Sequence, residues 1–116
     1  MMQRPRQGDI WIVELDPVVG HEQAKRRPCV IVSSDAFNQN PSDLVVFVPL
    51  TSQYSRVSWN IDVGELSIGT LKAQSFALCN HVRTVSLKRF SKLPIGVVSS
   101  EALHSIQTLL RTVLDL

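Results

Sequence analysis

Residues 28–33, Pro-Cys-Val-Ile-Val-Ser, and residues 44–50, Leu-Val-Val-Phe-Val-Pro-Leu, decide the fold class. Each is a short run of β-branched and aromatic residues that is apolar on both faces, which is typical of a buried strand. Residues 9–15 use the same residue types with alternation and predict a strand before them. The first half of the chain therefore reads as a series of strands.

Shorter strand signals continue through the second half. Residues 64–69 contain two glycines and predict a connection, and helical turns are expected within residues 35–40 and 86–90. Alternating or apolar patterns predict further strands at four places, which are residues 59–63, 70–79, 82–85 and 93–98.

The last segment has a different period. Ser99 or Ser100 can cap the N-terminus of a helix, and Glu101 lies in its first turn, where the helix dipole favours a negative charge. Several short strands and one closing helix predict a mainly β fold, a small, strongly bent SH3-like β-barrel with a C-terminal amphipathic helix, in one domain over residues 1–116. The apolar positions recur every three or four residues, as on one helix face: Leu103, Ile106, Leu109, Leu110, Val113 and Leu114.

Composition excludes several classes of protein. Hydrophobic residues make up 44% and charged residues 19%, which is globular composition and not that of a disordered chain. No apolar run approaches the roughly 20 residues that span a bilayer, and no secretory signal is visible, so a cytoplasmic protein is expected. Cys29 and Cys79 are far apart and show no CxxC spacing, which predicts two reduced thiols within strands.

Charge is unevenly distributed although the net charge is only +2. Residues 66–100 contain no acidic residue, and a second basic cluster lies at residues 25–27. Such asymmetry permits a phosphate-binding face, although an ordinary solvated surface would have the same pattern. The cations within the acid-free stretch are Lys72, Arg83, Lys88, Arg89 and Lys92.

Two polar segments adjoin predicted core strands, residues 20–28 and Thr51-Ser52. RNA carries its own nucleophile, the 2′-OH, so a protein that cuts RNA need only bind the phosphate, move protons and stabilise the added negative charge. An arginine fork matches phosphate oxygens, a hydroxyl donates one more hydrogen bond, and histidine exchanges protons near neutral pH. Arg27, Thr51 and His21 therefore form a plausible metal-free set.

Each of these residues also has an ordinary interpretation. An arginine before a proline is commonly a surface or ion-pair residue, Thr-Ser after a strand is commonly a turn, and a loop histidine is commonly just exposed. The sequence has no HExxH, no paired Cys/His spacing and no phosphate-binding glycine motif, so no metal or cofactor is expected. Residue types alone leave the function open.

The order and spacing of short motifs distinguish these possibilities. The chain resembles the MazF/PemK/Kid toxins over nearly its whole length. The first matching motifs are Gly8-Asp9-Ile10-Trp11, Leu15-Asp16-Pro17, Gly20-His21-Glu22-Gln23, Arg27-Pro28 and Val30-Ile31-Val32-Ser33. The later ones are Val48-Pro49-Leu50-Thr51-Ser52, Leu71-Lys72-Ala73-Gln74, Val82-Arg83-Thr84-Val85 and Pro94-Ile95-Gly96.

The resemblance implies the toxin of a type II toxin–antitoxin system. Such a toxin is a homodimeric, ribosome-independent and metal-independent endoribonuclease that cuts single-stranded mRNA at short sequences, leaving a 2′,3′-cyclic phosphate and a 5′-OH. A separate small antitoxin with an acidic tail would cover the RNA groove. The matching catalytic residues are Arg27, Thr51 and His21. The RNA-binding positions it implies are Glu22, Gln23, Lys25, Arg26, Ser52, Asn80, His81 and Arg83.

One departure limits what can be transferred. The PemK/Kid branch carries an Arg and an Asp where this chain has Leu78 and Asn80. The acid/base roles of that branch therefore do not apply here, and the chemistry would fall to Arg27, Thr51 and His21. Asn80 could still contact the edge of an unpaired base.

Two other functions fit parts of the pattern. A toxin of the same fold that poisons DNA gyrase relies on a Trp-Gly-Ile ending, whereas this chain ends Val-Leu-Asp-Leu. A non-catalytic module that binds nucleic acid or protein needs neither Arg27 nor Thr51. Incubation with a long RNA in EDTA, together with a gyrase assay, separates the three. Defined fragments indicate the nuclease, intact RNA with stalled gyrase indicates the gyrase-poisoning toxin, and neither result indicates the binding module.

Overall fold

The structure, a computed structural model, describes residues 3–15, 26–54, 56, 59–68 and 71–116. Within this part of the chain, strands dominate and a single α-helix closes the fold, as the sequence predicts. The strands are β1 (Asp9–Glu14), β2 (Arg26–Ile31), β3 (Leu44–Thr51), β4 (Asn60–Ile68), β5 (Leu71–Leu78), β6 (Arg83–Ser86) and β7 (Gly96–Val97). The helix is α1 (Ser100–Leu114), and 3-10 turns occupy Phe37–Gln39, Cys79–His81 and Leu87–Arg89.

The strands form one antiparallel sheet in the order β4-β5-β3-β2-β1-β7, with β6 paired to β3 off this path. On the side of β3 away from β2, β6 pairs with residues 44–47 and β5 pairs with Leu50 and Thr51. One strand thus holds two partners on the same edge, which requires the sheet to curl. The result is a curled half-barrel, which confirms the predicted mainly β fold with a strongly bent sheet.

Alternation along β2 and β3 gives the sheet two apolar faces. Trp11, Cys29 and Phe47 belong to a cluster enclosed by strands, and all three are fully buried. Val30 and Leu50 point to the other cluster, which packs under α1 at Ala102 and Ile106. Both faces of β2 are therefore buried along residues 29–31, which explains its continuous apolar run.

Helix α1 begins where the sequence places it. The Ser99 hydroxyl accepts a hydrogen bond from the Ala102 N–H at 3.1 Å, and Glu101 lies in the first turn. Ala102 and Ile106 are buried, whereas Leu114 is 49% exposed, so the apolar stripe is covered mainly in its first half. No helix in the described part of the chain is long and apolar enough to cross a membrane.

Two strand predictions needed correction. The segment 64–69, predicted as a connection, continues β4 up to Ile68, because a β-bulge between Asp62 and Gly64 lets the strand bend without ending. The predicted strand 93–98 is reduced to the two residues of β7, since Pro94 has no N–H to donate to a neighbouring strand.

Candidate active site

Arg27 and Thr51 line the same cavity, whose volume is about 440 Å³. Cys29 lies opposite Pro49 in the antiparallel pairing of β2 with β3, and extending this register by two residues brings Arg27 level with Thr51. The volume falls within the roughly 300–1,000 Å³ of ligand-binding pockets. The other lining residues are Pro28, Leu50, Ser52, Gln53, Leu66, Ala73 and Ser75.

Thr51 is half-buried and ends β3, where it pairs with β5 on the edge of β3 away from β2. Its Oγ1 atom accepts a hydrogen bond from the Gln53 N–H at 3.2 Å. A hydroxyl has one hydrogen to donate and two lone pairs to accept with. The Gln53 N–H occupies one lone pair, so the hydroxyl hydrogen can still be donated to an anion in the cavity.

A second arginine extends the positive charge beyond Arg27. Arg83 lies opposite Phe47 in the pairing of β6 with β3, and its Nη2 donates to the Leu15 carbonyl at 3.0 Å. Arg89 donates to the same carbonyl through Nη1 at 3.3 Å. Both guanidinium groups therefore bind the backbone immediately after β1.

The pKa of the Cys29 thiol is affected by the charges of both Arg27 and Arg83. Burial raises the pKa of its thiol to about 12, and nearby Arg27 and Arg83 oppose this rise. Burial likewise raises the pKa of Cys79 to about 11. Both residues are therefore thiols at neutral pH and are poor nucleophiles. Cys29 lies in a strand as predicted, whereas Cys79 lies in the 3-10 turn after β5, where the sequence predicted a strand.

The remaining sequence-predicted residues fall in different places. Ser52 lines the cavity with Arg27 and Thr51. Arg26 is exposed at the start of β2, opposite Glu14, and is not part of the lining. His21, Glu22, Gln23 and Lys25 lie outside the described residues.

Asn80 and His81 are exposed in the 3-10 turn that follows β5, and neither lines the cavity. The turn packs against α1 and β3. Leu78, which replaces the arginine of the PemK/Kid branch, is half-buried at the end of β5 opposite Asn60. The structure therefore brings Arg27, Thr51 and Ser52 together and leaves Asn80 and His81 on a neighbouring surface.

Six lining residues were not predicted as site residues from the sequence, namely Pro28, Leu50, Gln53, Leu66, Ala73 and Ser75. The sequence could have indicated that two of them belong together. Ala73 and Ser75 are small residues two positions apart in β5, so their side chains lie on the same face of the strand. Leu66 lay in the segment predicted as a connection and could not be assigned to a face. No group of three or more His, Cys, Asp or Glu residues that could hold a metal ion occurs among the residues the structure describes.

Comparison with known proteins identifies relatives of this chain. Residues 6–114 match the model of a family described as the PemK-like, MazF-like toxin of type II toxin-antitoxin system. Endoribonuclease MazF9 of Mycobacterium tuberculosis is 33% identical over 116 residues, covering 96% of this chain and 97% of the relative.

Solved structures share the fold. A crystal structure of MazE-MazF from Deinococcus radiodurans superimposes with a TM-score of 0.79 at 21% identity, over 98% of both chains. An endoribonuclease from a mycobacterial species, solved in complex with its cognate antitoxin, gives a TM-score of 0.71 at 22% identity, over 99% of this chain and 97% of the other. At these identities the likeness concerns the fold alone.

Proposed function

Because the chain belongs to the PemK-like, MazF-like toxins of type II toxin–antitoxin systems, we propose that it is an endoribonuclease that cuts single-stranded mRNA without ribosome or metal. The observation that carries the proposal is the cavity that Arg27 and Thr51 both line. Its charge and hydrogen-bond donors suit a phosphodiester. The related mycobacterial protein is named an endoribonuclease, which supports the same activity.

The cleavage step needs no atom beyond the RNA and the protein. The 2′-oxygen attacks the adjacent phosphorus, the bond to the 5′-oxygen breaks, and the products are a 2′,3′-cyclic phosphate and a 5′-OH. One proton leaves the 2′-OH, and one reaches the departing 5′-oxygen. His21 carries these proton transfers, with Glu22 beside it in sequence, since an imidazole is both acid and base near neutral pH.

Arg27 and Thr51 act on the phosphate itself. The guanidinium of Arg27 binds two phosphate oxygens with parallel hydrogen bonds, and the Thr51 hydroxyl donates a third. Negative charge on these oxygens increases as the 2′-oxygen attacks. Donors fixed in place before the reaction stabilise this charge most, so the rigid strand ends that carry Arg27 and Thr51 suit the role.

The remaining predicted RNA contacts belong to the same proposal. Arg83 binds a neighbouring phosphate, and Ser52 contacts the scissile nucleotide from the cavity wall. Asn80 and His81 form hydrogen bonds with the edge of an unpaired base at another nucleotide of the bound RNA. Four further side chains complete the RNA groove: Glu22, Gln23, Lys25 and Arg26. The protein acts in the cytoplasm as a homodimer, and its antitoxin inhibits it by laying an acidic tail over the groove.

The test is cleavage of a long RNA by purified protein in EDTA. We expect defined fragments whose new 5′ ends are labelled by polynucleotide kinase without prior phosphatase, because those ends are 5′-OH. Arg27→Ala should lower the cleavage rate at least about 100- to 1,000-fold, the loss typical of removing one transition-state donor. Arg111→Ala, an exposed arginine on α1, is the matched control and should cut at the wild-type rate.

Three results would count against the proposal. Intact RNA with the wild-type protein would exclude a nuclease, and stalled gyrase in the same preparation would favour the gyrase-poisoning alternative. Equal losses in the Arg27 and Arg111 variants would mean that charge, and not the cavity, matters.

A further inference from the structure

Tyr54 presents an exposed aromatic ring one residue after Gln53, which lines the cavity. Its side chain is 65% exposed, the largest exposed fraction of any described aromatic residue. The ring rests on Phe76, with ring centroids 5.5 Å apart and an interplanar angle of 53°. The exposed face of this ring is apolar surface that a flat ligand could remove from water. The proposed binding and cleavage of the phosphodiester do not involve this ring.

The strand register places the Tyr54–Phe76 pair next to Thr51. Phe76 lies opposite Thr51 in the pairing of β5 with β3, and side chains at paired positions share one face of a sheet. Tyr54 follows Thr51 by three residues, a distance of at most about 11 Å along the backbone. The Gln53 N–H bond to Thr51 Oγ1 ties this short segment back to the strand end. The Tyr54 ring and the Thr51 hydroxyl are therefore placed to contact the same stretch of a bound substrate.

We infer that Tyr54, supported by Phe76, is a stacking platform for the base of a nucleotide adjacent to the scissile phosphate. Unpaired RNA bases offer flat apolar faces, and proteins that bind single strands stack those faces on aromatic side chains. Phe76 restricts the tyrosine ring before RNA arrives, so less side-chain freedom is lost on binding. The inference rests on the proposed function, since it assigns a subsite to that same RNA.

If Tyr54 stacks on a base, its contribution to RNA binding should not depend on which base is present. Every base has a π face, so a stacking platform strengthens binding without reading sequence. Tyr54→Ala should therefore weaken cleavage at the same sites that the wild type cuts, and it should not create new ones. Tyr54→Phe keeps the ring and should behave as the wild type.

The experiment pairs each protein with RNAs that lack one base. Cleavage sites are mapped on a long RNA, and a short RNA around one site is made with a single abasic ribose at each position within two nucleotides of the cut. The proteins are the wild type, Tyr54→Ala, Tyr54→Phe and Phe37→Ala. Phe37 is the matched control because it is 44% exposed in the turn after the other end of β2.

We expect Tyr54→Ala to lower kcat/KM on the intact RNA about 5- to 150-fold, the range for one stacked base. One abasic position should lower the wild-type value by a similar factor and have little further effect on Tyr54→Ala, since the missing base and the missing ring remove the same contact. Phe37→Ala should match the wild type. A Tyr54→Ala variant within twofold of the wild type, or an abasic effect that persists undiminished in it, overturns the inference.

A binding measurement separates this inference from the proposed function. An all-deoxyribose single strand cannot be cut by 2′-OH attack, and its affinity can be measured by fluorescence anisotropy with or without abasic sites. Wild-type protein that binds this strand more tightly than Tyr54→Ala does, yet cuts no RNA, would refute the nuclease and leave the platform standing. If Tyr54→Ala instead cuts RNA normally and escapes the antitoxin, the ring is a protein-docking residue and the inference is wrong.

Discussion

At the level of single residues, the site combines two donors of different kinds. Arg27 supplies a charged planar fork from a strand, and Thr51 supplies a neutral hydroxyl that is oriented by the Gln53 N–H. In the proposed mechanism the Arg27 guanidinium binds the phosphate in both the ground state and the transition state, whereas the Thr51 hydroxyl is directed at the oxygen whose negative charge increases. The two substitutions should therefore have distinguishable kinetic effects.

Replacing Thr51 tests the hydroxyl without changing the shape of the side chain. Thr51→Val keeps the branched shape and removes the donor, so kcat should fall about 100-fold or more while KM changes little, as for a donor used mainly in the transition state. Thr51→Ser keeps the hydroxyl and is the control, which should retain most of the activity. A Thr51→Val variant with unchanged kcat and raised KM would show that the hydroxyl only helps to bind RNA.

The sequence predicted the candidate phosphate-binding groups of the cavity better than the residues that shape its wall. Arg27 and Thr51 were predicted because phosphate binding demands particular functional groups at the ends of core strands. Leu66 and Ser75 carry no such requirement, and only the register between two strands places them on the cavity wall. Tyr54 was missed for the same reason, since its partner Phe76 lies 22 positions away and is brought near by the pairing of β5 with β3.

At the level of elements, one irregularity in β4 determines which side chains face the cavity. Before the bulge Asp62 lies opposite Phe76, and after it Gly64 lies opposite Ser75, so one extra residue is absorbed. A shift of one residue reverses the face of every later side chain. The bulge therefore places Leu66 opposite Ala73, and both line the cavity.

Gly64 makes this bulge possible. Its φ of +88° is a conformation that other L residues adopt only at a cost, while a Cβ there would meet nothing within 4 Å. Gly64→Ala should lower the free energy of unfolding by about 1–2 kcal/mol through backbone strain alone, measured by urea denaturation. Gly96→Ala is the control. The φ of Gly96 is not positive, and the added Cβ would lie 3.8 Å from Ile10 Cδ1, which is an ordinary van der Waals contact.

Gly96→Ala should accordingly leave stability within about 0.5–1 kcal/mol of the wild type, in either direction. Equal losses in the two variants would indicate that the loss of a glycine as such is responsible, and that the bulge holds no special conformation. The sequence could not foresee the bulge, because a glycine between apolar residues is equally typical of a turn. Residues 64–69 were therefore predicted as a connection.

At the level of the whole molecule, the fold brings positively charged side chains together, although the net charge of the chain is only +2. Arg27 comes from β2 and Arg83 from β6, 56 positions later, yet both lie close enough to Cys29 to oppose the rise that burial causes in the pKa of its thiol. The curled sheet brings them together because both strands pair with β3, on opposite edges. Phosphate groups along a bound RNA would meet this positive region.

The general architecture could be predicted because hydrophobic period alone distinguishes the buried strands from the closing helix. β2 and β3 are apolar on both faces, and α1 repeats every three or four residues, so each pattern has one interpretation. The order of strands in the sheet could not be predicted from these patterns, because pairing between β3 and both β5 and β6 depends on how far the sheet curls.

The most direct test of the central claim compares one RNA with its single-deoxyribose counterpart. The deoxyribose replaces the sugar whose 2′-oxygen would attack, and both strands are incubated with wild-type protein in EDTA. Attack by the 2′-oxygen predicts that both strands bind with similar Kd, that only the all-ribose strand is cut, and that its fragments carry a 2′,3′-cyclic phosphate and a 5′-OH. Cleavage of the deoxyribose strand at the same bond would contradict it, because the nucleophile would then come from elsewhere.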